Sequence, residues 1–269
     1  MELLSYTFFQ YALLGCLLAS VVCGVVGTYV VTKRMLFISG GITHSSLGGV
    51  GLGLYLGLPP ILGASVFAVL SALGIEWLGR RRDVREDSAI ALVWTFGMSV
   101  GVMFSYLTPG YVPDLTVYLF GNILTIQEGD LAFLAALAVA VVAAYAVCRR
   151  LVLLVAFDEG YARSLKLPVT VFNYAAVVAI SLAVVSCIRI AGIVLTLSML
   201  TVPTMTASLF TRDYTHTIVL SVITGFAACL GGLVLAYWWN IPSGTAIIFV
   251  SIIIYLVSRL AVRWRGGRQ

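Results

Sequence analysis

Charge is scarce in this chain. Aspartate, glutamate, lysine and arginine make up 10% of 269 residues, against about a quarter in a soluble domain, and that scarcity excludes an ordinary water-soluble fold. Lysine is rarer still: Lys33 and Lys166 are the only two. Neither lies in the GxxxxGK[ST] pattern that cradles ATP phosphates, so any ATP hydrolysis belongs to a separate subunit and the chain is not an enzyme. The five cysteines, Cys16, Cys23, Cys148, Cys187 and Cys229, are odd in number, lie in or beside apolar segments and show no CxxC spacing. They read as small buried hydrophobes. No carboxylate stands convincingly in mid-span, where a secondary transporter keeps its proton or ion site.

What fills the chain instead is apolar. Hydrophobic residues are 61% of the total and mean hydropathy is +1.07. Several windows exceed the ~18 residues that cross a ~30 Å hydrocarbon core, which makes this an all-α, polytopic membrane protein with eight or nine crossings. The net charge of +5 comes in short basic clusters between apolar spans, the pattern of topology signals and not of nucleic-acid binding. The first span is expected to be retained, because Glu2 precedes it, no positive region does, and its apolar run exceeds signal-peptide length.

In chain order, span one runs from about Phe8 to Val31 and ends at Lys33 and Arg34, which places that end in the cytoplasm and the N-terminus outside. Span two opens at Met35, and span three runs from about Ile61 to Leu78, ending at Arg80, Arg81 and Arg82. Two crossings separate the basic clusters, so both fall on one side. Glu76 is expected to pair with these arginines or to snorkel. Asp87 or Ser88 is the expected cap of span four, which ends near Leu107.

Thr108 to Asp130 carries prolines, glycines, Asp114, Glu128 and Asp130 but no basic residue, and reads as external, with LTVYLFGNIL as an interfacial or re-entrant piece. Span five, about Leu131 to Val147, returns to Arg149 and Arg150. A short polar helix with Asp158 as cap and Pro168 as stop follows. Spans six, about Val169 to Ile188, and seven, about Ile190 to Leu209, are divided at Arg189. His216 reads as a headgroup-level residue. Tyr237, Trp238 and Trp239 form an interfacial belt after span eight, and span nine leads to Arg259, Arg263, Arg265 and Arg268, a cytoplasmic C-terminus.

Two stretches invite a transport reading. In span two, Phe37, Gly40, Gly41, His44, Gly48, Gly51 and Tyr55 share a helical face. That face is nearly bare except for one imidazole, so a partner helix or a passing ion can approach it. In LSMLTVPTMTAS, Pro203 removes a donor and Thr201, Thr204, Thr206 and Ser208 can satisfy freed groups. Such a kinked helix suits either a pathway wall or simple packing. His44 with Ser45 or Ser46 is no catalytic pair, since residues one and two apart do not share a face.

The segments KRMLFISGGITHSSLGGVGLG, REDSAIAL, FDEGYARSLKLPV, IAGIVLTLSMLTVPTMTA and the late IPSG turn together resemble, in order and over nearly the whole chain, the membrane permeases of zinc, manganese and iron ABC importers, the ABC-3 or zinc-uptake type. The resemblance implies one transmembrane permease domain over residues 1–269, a homodimeric pore in a bacterial cytoplasmic membrane, a cytoplasmic ATP-binding subunit and an external metal-binding protein. The cargo would be a divalent metal ion, with no permanently bound cofactor. It implies that Asp158, Glu159, Tyr161, Ala162, Arg163 and Leu165 couple to the ATPase; the helix faces make His44 the candidate metal residue and Gly40, Gly41, Thr43, Gly48, Gly51, Thr201, Pro203 and Thr204 the candidate pathway lining. Gly40 stands where the family commonly has an aspartate, one turn before the histidine. Imidazole without carboxylate tilts such a site towards zinc, with Thr43, Ser45, backbone carbonyls or water completing the shell. The rival readings are a secondary cation transporter or channel without an ATPase, and an ABC permease for a metal chelate.

Overall fold

The computed structural model describes residues 7–81, 84–109, 121, 123 and 126–266, without the side chains of Arg189, Ile190, Arg265 and Gly266. Asp114, the LTVYLFGNIL piece apart from Gly121 and Ile123, Arg82 and Arg268 lie outside the described residues, and the expected role of Arg189's side chain lies there too. The elements among the described residues are all helices: α1 (Thr7–Thr32), α2 (Leu36–Tyr55), α3 (Pro60–Gly79), α4 (Glu86–Leu107), α5 (Glu128–Phe157), α6 (Glu159–Ser164), α7 (Val169–Ala207), α8 (Tyr214–Trp239) and α9 (Ser243–Gly266). Seven segments are long and apolar enough to cross a membrane. The glycine-rich α2 and the shorter limb of α7, Ala191–Ala207, stand outside that group. The sequence predicts eight or nine crossings; seven segments meet the length and hydropathy of a span among the described residues.

The start of α4 differs from expectation. Arg85, extended, takes the cap position, while Glu86 and Asp87 occupy the first turn, where a carboxylate favours the helix N-terminus without capping it. Helix α5 is longer than predicted, continuing past Arg149 and Arg150 to Phe157. Nothing in that run breaks a helix, and its start is fixed by a reciprocal capping box between Gln127 and Asp130. Spans six and seven form one helical stretch whose break falls at Gly192, with φ 74° and ψ 171°, and not at Arg189. That region is essentially restricted to glycine. The short helix stops at Ser164, with Lys166 left-handed, before Pro168 serves as the cap of α7.

A continuous apolar core joins α1, α2, α3, α5, α7 and α8. Cys16, Cys23, Cys187 and Cys229 are buried in it, whereas Cys148 is exposed. A separate small cluster of Val155, Ala162 and Val169, with Leu151, Leu154, Leu167 and Phe172 around it, clips α6 to the end of α5 and the start of α7.

Candidate functional site

Helix α2 is held by its glycines. A Cβ on Gly49 would strike the backbone of Gly63 in α3; one on Gly48 or Gly51 would strike the carbonyls of Gly97 or Gly101 in α4; one on Gly41 would meet Ile90. Gly41, Gly48 and Gly51 are therefore filled by α4, and their place in this conformation is a helix seam. Gly40 is the open position on that turn, its nearest neighbour being Leu197 Cδ2 on α7 at 3.9 Å from an added Cβ.

His44 stands on the same helix, half-buried. Its ring stacks on Trp94 of α4, centroids 4.4 Å apart and planes 9° apart, which fixes the imidazole plane. Its Nδ1 is buried and has no hydrogen-bond partner. A buried polar nitrogen left so costs roughly 1–3 kcal/mol, and the hydroxyls of Tyr29, Ser105, Ser198, Tyr214 and Ser251 stand in the same state. Thr43 and Ser45 are turned away from such a shell: each is buried and donates to its own helix, Thr43 Oγ1 to the Ser39 carbonyl and Ser45 Oγ to the Ile42 carbonyl. Trp94 was not foreseen. The signal was the G-x-x-x-G of Gly97 and Gly101, a close-packing motif whose meeting with α2 brings the indole beside the histidine.

Thr201, Pro203 and Thr204 lie on the second limb of α7, and Pro203 and Thr204 meet α8. Thr201 Oγ1 donates to the Leu197 carbonyl, Thr204 Oγ1 to the Leu200 carbonyl, Thr206 Oγ1 to the Val202 carbonyl and Ser208 Oγ to the Thr204 carbonyl. None of these four bonds reaches Met199, whose carbonyl Pro203 deprives of its helical donor. The expectation that the hydroxyls serve the freed group is corrected: each serves the residue four back. Across the seam, Ser221 Oγ donates to Thr204 Oγ1 at 3.3 Å and Thr224 Oγ1 to the Pro203 carbonyl at 3.3 Å.

At the end that carries the basic clusters, the structure gathers the α6 residues. Asp158 caps α6 by accepting from the Tyr161 amide at 2.8 Å. Ala162 is fully buried, while Tyr161 and Leu165 are exposed. Glu159 accepts from Lys33 Nζ at 2.8 Å, from Arg163 Nη2 at 2.6 Å and from Asn173 Nδ2 at 3.2 Å. Burial alone pushes the Glu159 carboxyl up, but the hydrogen bonds and charges of Arg163 and Lys33 outweigh it and hold it at about 2. Nearby, Arg80 grips Glu76 through Nε at 2.9 Å and Nη2 at 2.5 Å, the expected pairing. These groups border a cavity of about 540 Å³ that also reaches Ile38 of α2 and Glu86 of α4. At the start of α8, exposed Asp213 accepts from the His216 amide and contacts its Nδ1, both at 2.8 Å.

Among the described residues no group of three or more His, Cys, Asp or Glu side chains converges as a metal site. What the helices define is a polytopic membrane protein, with His44 stacked on Trp94 along its glycine-packed second helix. Comparison with known proteins then fixes the family: residues 5–262 match the ABC 3 transport family, and the chain belongs to it. An uncharacterised membrane protein of Synechocystis sp. is 37% identical over 96% of this chain and 92% of its own. The manganese transport system membrane protein MntC of Listeria monocytogenes is 29% identical over 98% of this chain and 94% of its own. The solved structure of PsaBC from Streptococcus pneumoniae in complex with Fab superposes with a TM-score of 0.85 at 28% identity, covering 95% of this chain and 92% of that one. The chain is thus a multi-pass protein of the bacterial inner membrane.

Proposed function

We propose that this chain is the permease subunit of an ATP-driven importer of divalent transition-metal ions, forming its pore as a homodimer. The single observation that carries the reading is the half-buried His44, stacked on Trp94 with an unpartnered Nδ1, in a chain of a transport family. A passing cation, or the same face of a second copy, would meet the half-buried imidazole at its open edge. Transport needs ligation weak enough to release, and one imidazole per chain supplies it. The basic end faces the cytoplasm, where α6 presents Tyr161, Arg163 and Leu165 to a separate ATP-binding subunit. An external protein delivers the ion at the opposite end.

Imidazole without the carboxylate that Gly40 omits favours zinc. Manganese is the second reading, favoured by relatives named as manganese transport proteins. The test is co-expression with a nucleotide-binding subunit and an external binding protein, reconstitution into vesicles, and uptake of zinc, manganese and iron. ATP-dependent uptake of one of these ions, with the nucleotide-binding subunit copurifying, is expected. Uptake collapsed by proton uncouplers and indifferent to ATP would replace this reading with a secondary transporter.

A further inference from the structure

We propose that the Lys33–Glu159 ion pair is the link through which α6 moves α2. The inference rests on the reading of α6 as the element that meets the ATP-binding subunit, and it names how a displacement there reaches the helix that carries His44.

The apolar contacts of α6 go elsewhere. Ala162 seals it to Val155 of α5 and Val169 of α7 in the small cluster, which touches the main core through Phe172, edge-on to Tyr29, so these three pieces form one local unit. Towards α2 the unit meets the wall of the 540 Å³ polar cavity, lined by Ile38, Ile75, Glu76 and Glu86 on the far side. An open cavity transmits little force, because side chains across it lack contact. A polar bond spanning its edge does transmit force. Lys33 Nζ makes that bond, 2.8 Å to Glu159 Oε2 and 3.3 Å to Asn173 Oδ1.

Lys33 occupies the tight turn between α1 and α2, where Arg34 is left-handed at φ 59° and Met35 already caps α2. Two residues separate the ammonium from the first turn of α2, and the turn is closed by Lys33 N to the Tyr29 carbonyl at 2.9 Å and Met35 N to the Val30 carbonyl at 2.8 Å. A pull on Lys33 therefore arrives at α2 through a stiff turn. The Lys33 and Glu159 side chains are only 14% and 32% exposed, which shields the pair from the screening that weakens surface ion pairs. Arg163 and Asn173 hold the carboxylate from its other side, at 2.6 Å and 3.2 Å, so Glu159 is fixed within the α6 unit while Lys33 is fixed to the α1–α2 turn. The two are positioning residues for transport.

The experiment compares wild type, Lys33→Gln, Glu159→Gln, the double variant and Lys33→Arg, each reconstituted with the ATP-binding and external subunits, and reads zinc or manganese ions taken up per ATP hydrolysed. Thermal stability in detergent checks that each variant folds; both positions lie outside the apolar core. The expected result is that the ATP-binding subunit stays bound in every variant while ions per ATP fall about tenfold in each single variant. The double variant falls no further, because one interaction is removed once, and Lys33→Arg stays within about twofold of wild type. An unchanged ratio in both single variants, or losses that multiply in the double, overturns the link while leaving the docking reading intact. Loss of the ATP-binding subunit from the Glu159 variant alone overturns it too, by making Glu159 a docking residue. Wild type that binds no such subunit overturns the docking reading and the link together.

Discussion

The two ends of this bundle are closed by opposite means. Asn173 and Gly192 stand 19 residues apart on α7, about 28 Å along a helix at 1.5 Å per residue, and mark the two ends. At Gly192 the closure is backbone on backbone: a Cβ on Gly121, itself at φ 60°, would strike Gly192 N and the Ala191 carbonyl carbon. At Asn173 the closure is a polar cavity crossed by the Lys33, Glu159 and Arg163 side chains. A dry glycine contact tolerates no added atom and resists shear. A polar cavity edged by ion pairs gives way without losing packed surface. The difference teaches where a partner can push this molecule: at the basic end.

The sharpest way to break that comparison is at the dry end. Gly192→Val places a β-branched residue at φ 74°, a strained conformation costing about 1–3 kcal/mol before any clash. The expected outcome is a fall of several degrees or more in the unfolding midpoint in detergent. Gly121→Ala, struck by the Gly192 backbone, is expected to lose at least about 1 kcal/mol in the same measurement.

At the wet end the same scale of chemistry costs less. Asp158→Ala removes the α6 cap and is expected to destabilise that helix by about 1 kcal/mol, seen as faster hydrogen exchange confined to α6 and as weaker retention of the ATP-binding subunit. The smallest expected effect is a pH effect of nearly zero. The Glu159 carboxyl is held at about 2, below its ordinary value, so the stability it confers is fully present above about 4.5 and is lost only as pH falls through about 2. The charged groups facing it are Lys33 and Arg163, and Glu76 is gripped by Arg80. The wild-type to Glu159→Gln ratio of ions per ATP is therefore expected to stay flat from about pH 8 to about pH 5; a sigmoidal change there would show that the carboxylate titrates within it.

How much of this was legible in the sequence depends on the physics that decides each feature. Span positions followed hydropathy closely, as with Phe8 to Val31 against Thr7–Thr32, because burial in lipid is written in composition. Breaks were less legible. A charge at Arg189 looked like a loop, but the break needs a backbone conformation, and Gly192 supplies it three residues on. Arg149 and Arg150 looked like a terminus, yet arginine is a good helix former and α5 runs through it. The face of α2 was read as small and bare; the structure divides it, Gly41, Gly48 and Gly51 meeting α4 and Gly40 lying open towards Leu197, because the pairing with Gly97 and Gly101 is long-range and periodicity within α2 does not encode it. His44 was visible as a lone imidazole; its stack on Trp94 was not.

The most direct test of the account is ATP-driven uptake of zinc and manganese by vesicles holding the complete complex, wild type against His44→Ala, with bound ATP-binding subunit measured in both. The account predicts intact assembly with uptake of the transported ion reduced at least about tenfold, as loss of the principal ligand on a weak site would give. Equal uptake of both ions in the two proteins would contradict it, and would return His44 to the role of a packing residue against Trp94.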